Sequence, residues 1–211
     1  MKEFDFYISN QNCKEQAREF LRYTWKESAI VTIFYLLICA VLVLTTTLLS
    51  IFVAWWLVFP LALVVFILWS LFNYGYKKYF WNLTQLKEVK RSLLFCGFSK
   101  KAGAIIKTNL KMLFLDLFWL ILLIFPFFIK QSSYAMATYI LWDREDIPAS
   151  RAIKESQHMM KGNIKRYLKY HLSLIHWYLL ILVTGYIAAI WVLPYITTCH
   201  AVWYEDLKTD F

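Results

Sequence analysis

The sequence predicts an all-α fold, a polytopic transmembrane helical bundle of about six membrane segments with basic amphipathic helices at the interface. Three observations predict it. Hydrophobic residues make up 60% of the 211 residues and aromatic residues 19%, whereas a soluble domain carries roughly 45 to 50% apolar residues. No charged residue occurs from Ser28 to Tyr76. About 20 apolar residues suffice for one helical crossing, so that stretch holds two. Finally, the basic residues fall in blocks between apolar pairs, as expected of loops that resist translocation.

Hydropathy read against charge gives segments at 28–49, 53–76, 110–129, 131–142, 171–190 and 191–204, all within one membrane domain covering 1–211. The fourth and sixth are short and require tilt or local thinning to span about 30 Å of hydrocarbon. Charge favours six segments over four. Of 23 Lys and Arg residues, five precede Ser28, nine lie from Lys77 to Lys111 and seven from Arg144 to Lys169. With six crossings these blocks, Lys208 and both termini are cytosolic, and Lys130 alone is outside.

Each apolar pair follows a basic stretch, at 14–27, 83–108 and 149–168, each expected as an amphipathic helix in the headgroup plane. In the first, Ala17, Phe20, Leu21, Thr24 and Trp25 recur at helical spacing, with Lys14, Arg18, Arg22 and Lys26 on other faces. The third repeats this with Ala152, Ile153, Ser156, Met159, Met160, Ile164 and Tyr167 against Lys154, Lys161, Lys165 and Lys169. Pro148 suits its first turn, and Gly162 with Asn163 can break it. Pro60, Pro126 and Pro194 lie in or beside membrane segments, where proline kinks or ends a helix.

The net charge of +9 is explained by these cytosolic blocks and by attraction to anionic headgroups, so nucleic acid is not expected as a partner. Cys13, Cys39, Cys96 and Cys199 show neither a CxxC pair nor metal-ligand spacing and are read as free thiols. The first 20 residues carry acids and no apolar core before a cleavage site, so the first membrane segment is expected to insert uncleaved.

Pro126, Ile129, Lys130, Tyr134 and Met136, then Ala152, Ser156, Met160, Lys161 and Gly162, then Trp177, Pro194, Tyr195, Tyr204 and Leu207 carry a resemblance. With weaker matches in KEQAREFLRYTWKESAIVTIFYLLI and LLFCGF, the chain resembles the bacterial membrane family known as domain of unknown function 975. That family is found mainly in Gram-positive species. It usually has a glycine after the third-segment proline, where this chain has Phe127. The resemblance implies a multi-pass protein of the bacterial cell membrane with a basic cytosolic segment before the fifth helix, and no reaction.

No HExxH, GxSxG or GxxxxGK[ST] motif is present, so no enzyme activity and no cofactor or metal are expected. Asp116, in MLFLDLFWLILL, is a candidate intramembrane polar site, because a carboxylate in a membrane helix is costly and by default marks an ion, proton or partner site. Lys111 lies five residues away, off the spacing of a good helical pair. His171 and His176 are about 140° apart on a helix, which spoils a shared metal site unless His200 joins. Trp55, Trp56, Trp142, Trp177, Trp191 and Trp203 suit an interface belt. Lys154, Lys161, Lys165, Arg166 and Lys169 are candidate contacts for membrane lipids with anionic headgroups or for another membrane protein complex.

These features favour a non-enzymatic membrane component that interacts with lipid or a partner, of accessory or immunity type. The alternative is a small-solute transporter or membrane substrate-binding subunit, which requires a polar cavity. Asp116, Thr45, Thr46, Thr47, Thr184, Thr197 and Thr198 are the sequence's material for one.

Overall fold

The computed structural model describes residues 10–52, 55–87, 89–99, 102–122, 124–144 and 147–208, and all secondary structure among them is helical. The two longest helices are α2, Trp25–Phe52, and α3, Trp55–Thr84. At 1.5 Å per residue they measure about 42 and 45 Å, more than a bilayer core is thick. Both are long and apolar enough to cross a membrane, and only 17% of the most apolar stretch of each is buried. An apolar helix that stays exposed is unlike the core helix of a soluble protein, which hides the same composition. The two pair through Tyr35 stacked on Tyr76, with ring centroids 4.3 Å apart, and through a hydroxyl contact of 3.1 Å between Thr32 and Tyr76.

A second hairpin pairs α4, Ala102–Leu122, with α5, Ile124–Tyr134, and α6, Ala137–Asp143. Helix α4 ends at Leu122 and α5 begins at Ile124, so the returning arm starts earlier than the sequence reading, which placed the turn at the lone charge Lys130. Pro126 explains the difference. It is the third residue of α5, and in a first turn the missing N–H costs no helical hydrogen bond. Lys130 and Gln131 therefore lie within the returning arm. That arm is no longer short, since α5 and α6 together run from Ile124 to Asp143. Between them the backbone breaks, and Ser156 fills the break. Its hydroxyl donates to the Ser133 carbonyl at 2.8 Å and accepts from the Met136 N–H at 3.2 Å.

The third hairpin joins α8, Ile164–Leu172, and α9, Ile175–Val183, to α10, Ala189–Lys208. Its antiparallel rungs are Arg166 with Asp206 at 2.8 Å, Tyr167 with Trp203, His171 with His200 and Trp177 with Tyr195. The reversal falls at 184–188, where Gly185 and Tyr186 have positive φ, and not at the expected 190–191. The sixth apolar segment accordingly gains its missing length from Ala189 and Ile190.

Helix α10 is the centre, packed on α1, Asn10–Arg22, and on α2 and α3. Cys13, Ala17 and Leu21 of α1 are fully buried, so the face read as lipid-directed meets protein. The same holds for α7, Ala149–Met160, whose Ala152, Ser156 and Met160 are buried and which packs on α4, α5 and α6. Pro148 caps α7, and Gly162, at φ +92°, separates it from α8. The stretch 83–108 forms no single amphipathic helix. Instead α3 runs on to Thr84, and a 3-10 helix, Arg91–Phe98, folds back along it before α4 begins.

Two glycines make that fold-back possible. A Cβ on Gly75 would fall on the Leu94 carbonyl, and a Cβ on Gly97 would fall on the Leu71 carbonyl. The two backbones thus touch in both directions. The tryptophans also depart from an interface belt: Trp203 and Trp142 are buried, while Trp191 is exposed. The side chains of Trp55 and Trp56 lie outside the described residues. Trp81, Trp142, Tyr139 and Tyr204 form an aromatic cluster that joins α3, α6 and α10.

Gly75→Ala or Gly97→Ala should lower the thermal midpoint of the detergent-solubilised protein strongly, since overpacking against rigid backbone costs about 1 to 3 kcal/mol or more. Gly103→Ala, where nothing lies within 4 Å, should leave it unchanged or raise it. Ser156→Ala should cost about 1 to 3 kcal/mol by leaving a buried N–H unpaired, read in the same assay.

Candidate functional site

A cavity of about 590 Å³ lies between α3, α4, α5, α6, α8 and α10. Helical periodicity sets its α3 wall, because Phe66, Trp69, Asn73 and Lys77 recur at spacings of three and four. Asn109, Met112, Leu113 and Asp116 form the α4 wall by the same rule. Gln131 and Ser132 of α5, Ala135 in the break, and Thr138 and Tyr139 of α6 face them, with His171 and Tyr167 from α8 and His200 from α10. Trp69 is 38% exposed and Gln131 is also exposed, so the cavity opens to the surface.

The lining is divided in character: Phe66, Trp69, Met112 and Leu113 are apolar, and the remainder is mostly polar or ionisable. Three of its polar atoms are buried without a hydrogen-bond partner among the described residues: Asp116 Oδ1, Tyr139 Oη and His200 Nε2. Lys77 makes no ion pair or hydrogen bond among the described residues either. The electrostatic neighbours of His200 are His171 and Lys77, with the two imidazole rings 5.1 Å apart. Buried polar groups in native proteins are satisfied in the large majority of cases. Three unsatisfied polar atoms and an ammonium without an ion pair among the described residues thus line one space.

The structure places Asp116 in this cavity and brings His171 and His200 to it. His176 is elsewhere, exposed and against Trp177. Among the described residues no three His, Cys, Asp or Glu side chains converge on a metal position, and zinc sites need three or four ligands. The threonines supply little. Thr45, Thr46, Thr47, Thr184 and Thr198 each donate to a carbonyl of their own helix.

Of the basic candidates, Lys154, Lys161, Lys165 and Lys169 are exposed. Arg166 is not available in the same way, because its guanidinium pairs with buried Asp206 at 2.8 Å and lies 4.3 Å from the centre of the Trp203 ring. That arginine holds α8 on α10. The sequence reading missed Lys77, Asn73, Asn109 and Gln131. Lys77 sat at the edge of an apolar segment and read as a topological charge; only its place inside a 30-residue helix reveals it as a cavity residue.

No curated protein and no solved structure matches the chain. The family described as "Protein of unknown function (DUF975)" matches residues 105–210, a region that supplies every element of the cavity except α3. The chain belongs to this family of proteins of unknown function.

Proposed function

We propose that the chain is a non-enzymatic integral membrane protein of the bacterial cell membrane, crossing it six times, whose cavity holds the polar group of an amphiphile. The observation that carries this reading is the cluster of Asp116, Tyr139 and His200 orphans beside unpaired Lys77, facing an apolar wall. A divided cavity that opens to the surface suits a molecule with a polar head and an apolar body. Neither His171 nor His200 makes a hydrogen bond to a carboxylate among the described residues, the arrangement general base catalysis uses to orient an imidazole.

Topology supports the membrane reading. With α2 paired to α3, α4 to α5 and α6, and α8 and α9 to α10, every basic block lies at the ends of the hairpins opposite the turns. Lys130 is the one basic residue from Met112 to Asp143. The positive-inside rule then puts the turns outside and both termini in the cytosol. Exposed Lys154, Lys161, Lys165 and Lys169 face anionic lipid heads or another membrane complex. A second reading, a small-solute transporter or membrane substrate-binding subunit, draws on the amides of Asn73, Asn109 and Gln131 in the same cavity.

A cysteine at Ile187, in the third reversal, should react with an impermeant thiol reagent in intact cells, and one at Lys154 only after permeabilisation. Native background is low at Cys13 and Cys199, which are buried; burial pushes the Cys13 thiol up to about 11. Cys39 and Cys96 are replaced by alanine for the assay. Reaction at Lys154→Cys in intact cells overturns the topology.

For the cavity, Lys77→Met, Asp116→Leu and His200→Phe should each reduce the amphiphile that copurifies in mild detergent, as read by native mass spectrometry. If the cavity only reflects poor packing, removing an orphaned polar group should raise the thermal midpoint, by about 1 to 3 kcal/mol of relieved desolvation, and leave the copurifying molecules unchanged. Retention of a water-soluble solute in place of an amphiphile would favour the second reading.

A further inference from the structure

A second, separate site lies on the other side of the α8–α10 hairpin. Lys14 and Arg18 of α1 face Lys169 and Ser173 across a groove of about 400 Å³. Arg18 also lines an adjoining groove of about 300 Å³, walled by Trp25, Trp177, Trp191, Val192 and Tyr195. One guanidinium therefore stands at the junction of a basic pocket and an aromatic one.

We propose that these two grooves together hold one anionic phospholipid, with its phosphate between Lys14, Arg18 and Lys169 and an acyl chain against Trp177 and Trp191. Charge complementarity argues for the head. None of the three cations has a carboxylate within ion-pair distance among the described residues, and Glu15 is the one acid lining the pocket. Lys14 Nζ donates to the Ser173 carbonyl at 3.5 Å. Arg18 lies 5.7 Å from the centre of the Tyr195 ring, within cation–π range, and a guanidinium is suited to bidentate contact with phosphate oxygens.

The aromatic groove argues for the tail. It is almost wholly apolar, and Trp191 on its wall is 54% exposed, next to exposed Ile187 and Val183. A free phosphate leaves this groove unused, whereas a lipid fills both. The α1 wall is held in place because Cys13, Ala17 and Leu21 on the adjoining face of the helix are fully buried. A ligand there meets a prepared surface and spends little in ordering it. No lining residue is shared with the cavity of Asp116 and His200, so this inference stands apart from the function proposed for that cavity.

The test uses the full chain in mild detergent and native mass spectrometry with phosphatidylglycerol, phosphatidylcholine and inorganic phosphate as probes. Phosphatidylglycerol should bind in preference to phosphatidylcholine, and inorganic phosphate should not displace it. The triple variant Lys14→Gln, Arg18→Gln, Lys169→Gln should weaken phosphatidylglycerol about a hundredfold, at about fivefold per basic residue, with an unchanged thermal midpoint in lipid-free detergent. Trp191→Ser, at an exposed position, should weaken the lipid and leave all charges in place.

The control removes the same charge elsewhere, as Lys107→Gln, Lys111→Gln, Arg151→Gln at exposed positions, and should leave binding of this one lipid intact. Equal weakening by the control triple would show a diffuse electrostatic effect and overturn the site. Displacement by inorganic phosphate, or no effect of Trp191→Ser, would show an anion site without a lipid tail and also overturn it.

Discussion

Helix α10 buries side chains on every face from Val192 to Leu207, and that all-round burial dictates where the other helices can lie. Trp203 at its centre is fully buried, with Tyr167 and Tyr170 against it and Arg166 stacked on its ring. Asp206 then fixes the far side of that guanidinium. Breaking such a buried pair from one side typically costs about 3 to 5 kcal/mol, because the other charge is left uncompensated. The ion pair is therefore less a source of net stability than a setting of register. It decides that α8 runs beside α10 with His171 at the height of His200.

Register explains the polarity of the interior. Once α8 and α10 are fixed, His171 and His200 face α3, whose Lys77 lies on the same stripe as Asn73 and Trp69. The aromatic cluster of Trp81, Trp142, Tyr139 and Tyr204 closes one end of that space. Trp81 donates to Glu205 at 2.8 Å and Lys208 reaches Asp143 at 2.5 Å, so the ends of α3, α6 and α10 are tied by polar as well as apolar contacts. The apolar halves of α2 and α3 beyond this packed region stay uncovered, an exposure suited to hydrocarbon or to an apolar partner surface.

Much of the helical pairing was legible, because apolar length and charge blocks report on single helices and their order. The breaks at Pro148 and Gly162 were legible too, since each follows from a local backbone rule. What escaped depends on neighbours. A lone lysine looks like a loop, yet Lys130 lies inside α5, which begins at Ile124 with Pro126 in its first turn. The amphipathic faces of α1 and α7 looked suited to lipid, and a protein surface satisfies the same periodicity equally well. Gly75 and Gly97 carry no signal until two backbones are seen in contact. Asp116 was found because an acid in an apolar run stands out, while Lys77 was hidden by two factors: it adjoins Lys78, and the block read as topology.

The two sites share a wall, and this gives the α8–α10 hairpin a mechanical meaning. On α8, Tyr167 and His171 line the cavity while Lys169 lines the basic groove. On α10, His200 lines the cavity and Tyr195 the aromatic groove, and five residues of helix turn these two side chains about 140° apart. The cavity and the grooves thus lie against the same pair of helices from different sides. Arg166 and Asp206 anchor that pair at one end, and the breaks at Ser173 and 184–188 leave the rest of it less regular. Coupling between two sites requires a shared element with differential contacts to both ligands. The hairpin is the element common to both places, with one end anchored by Arg166 and Asp206.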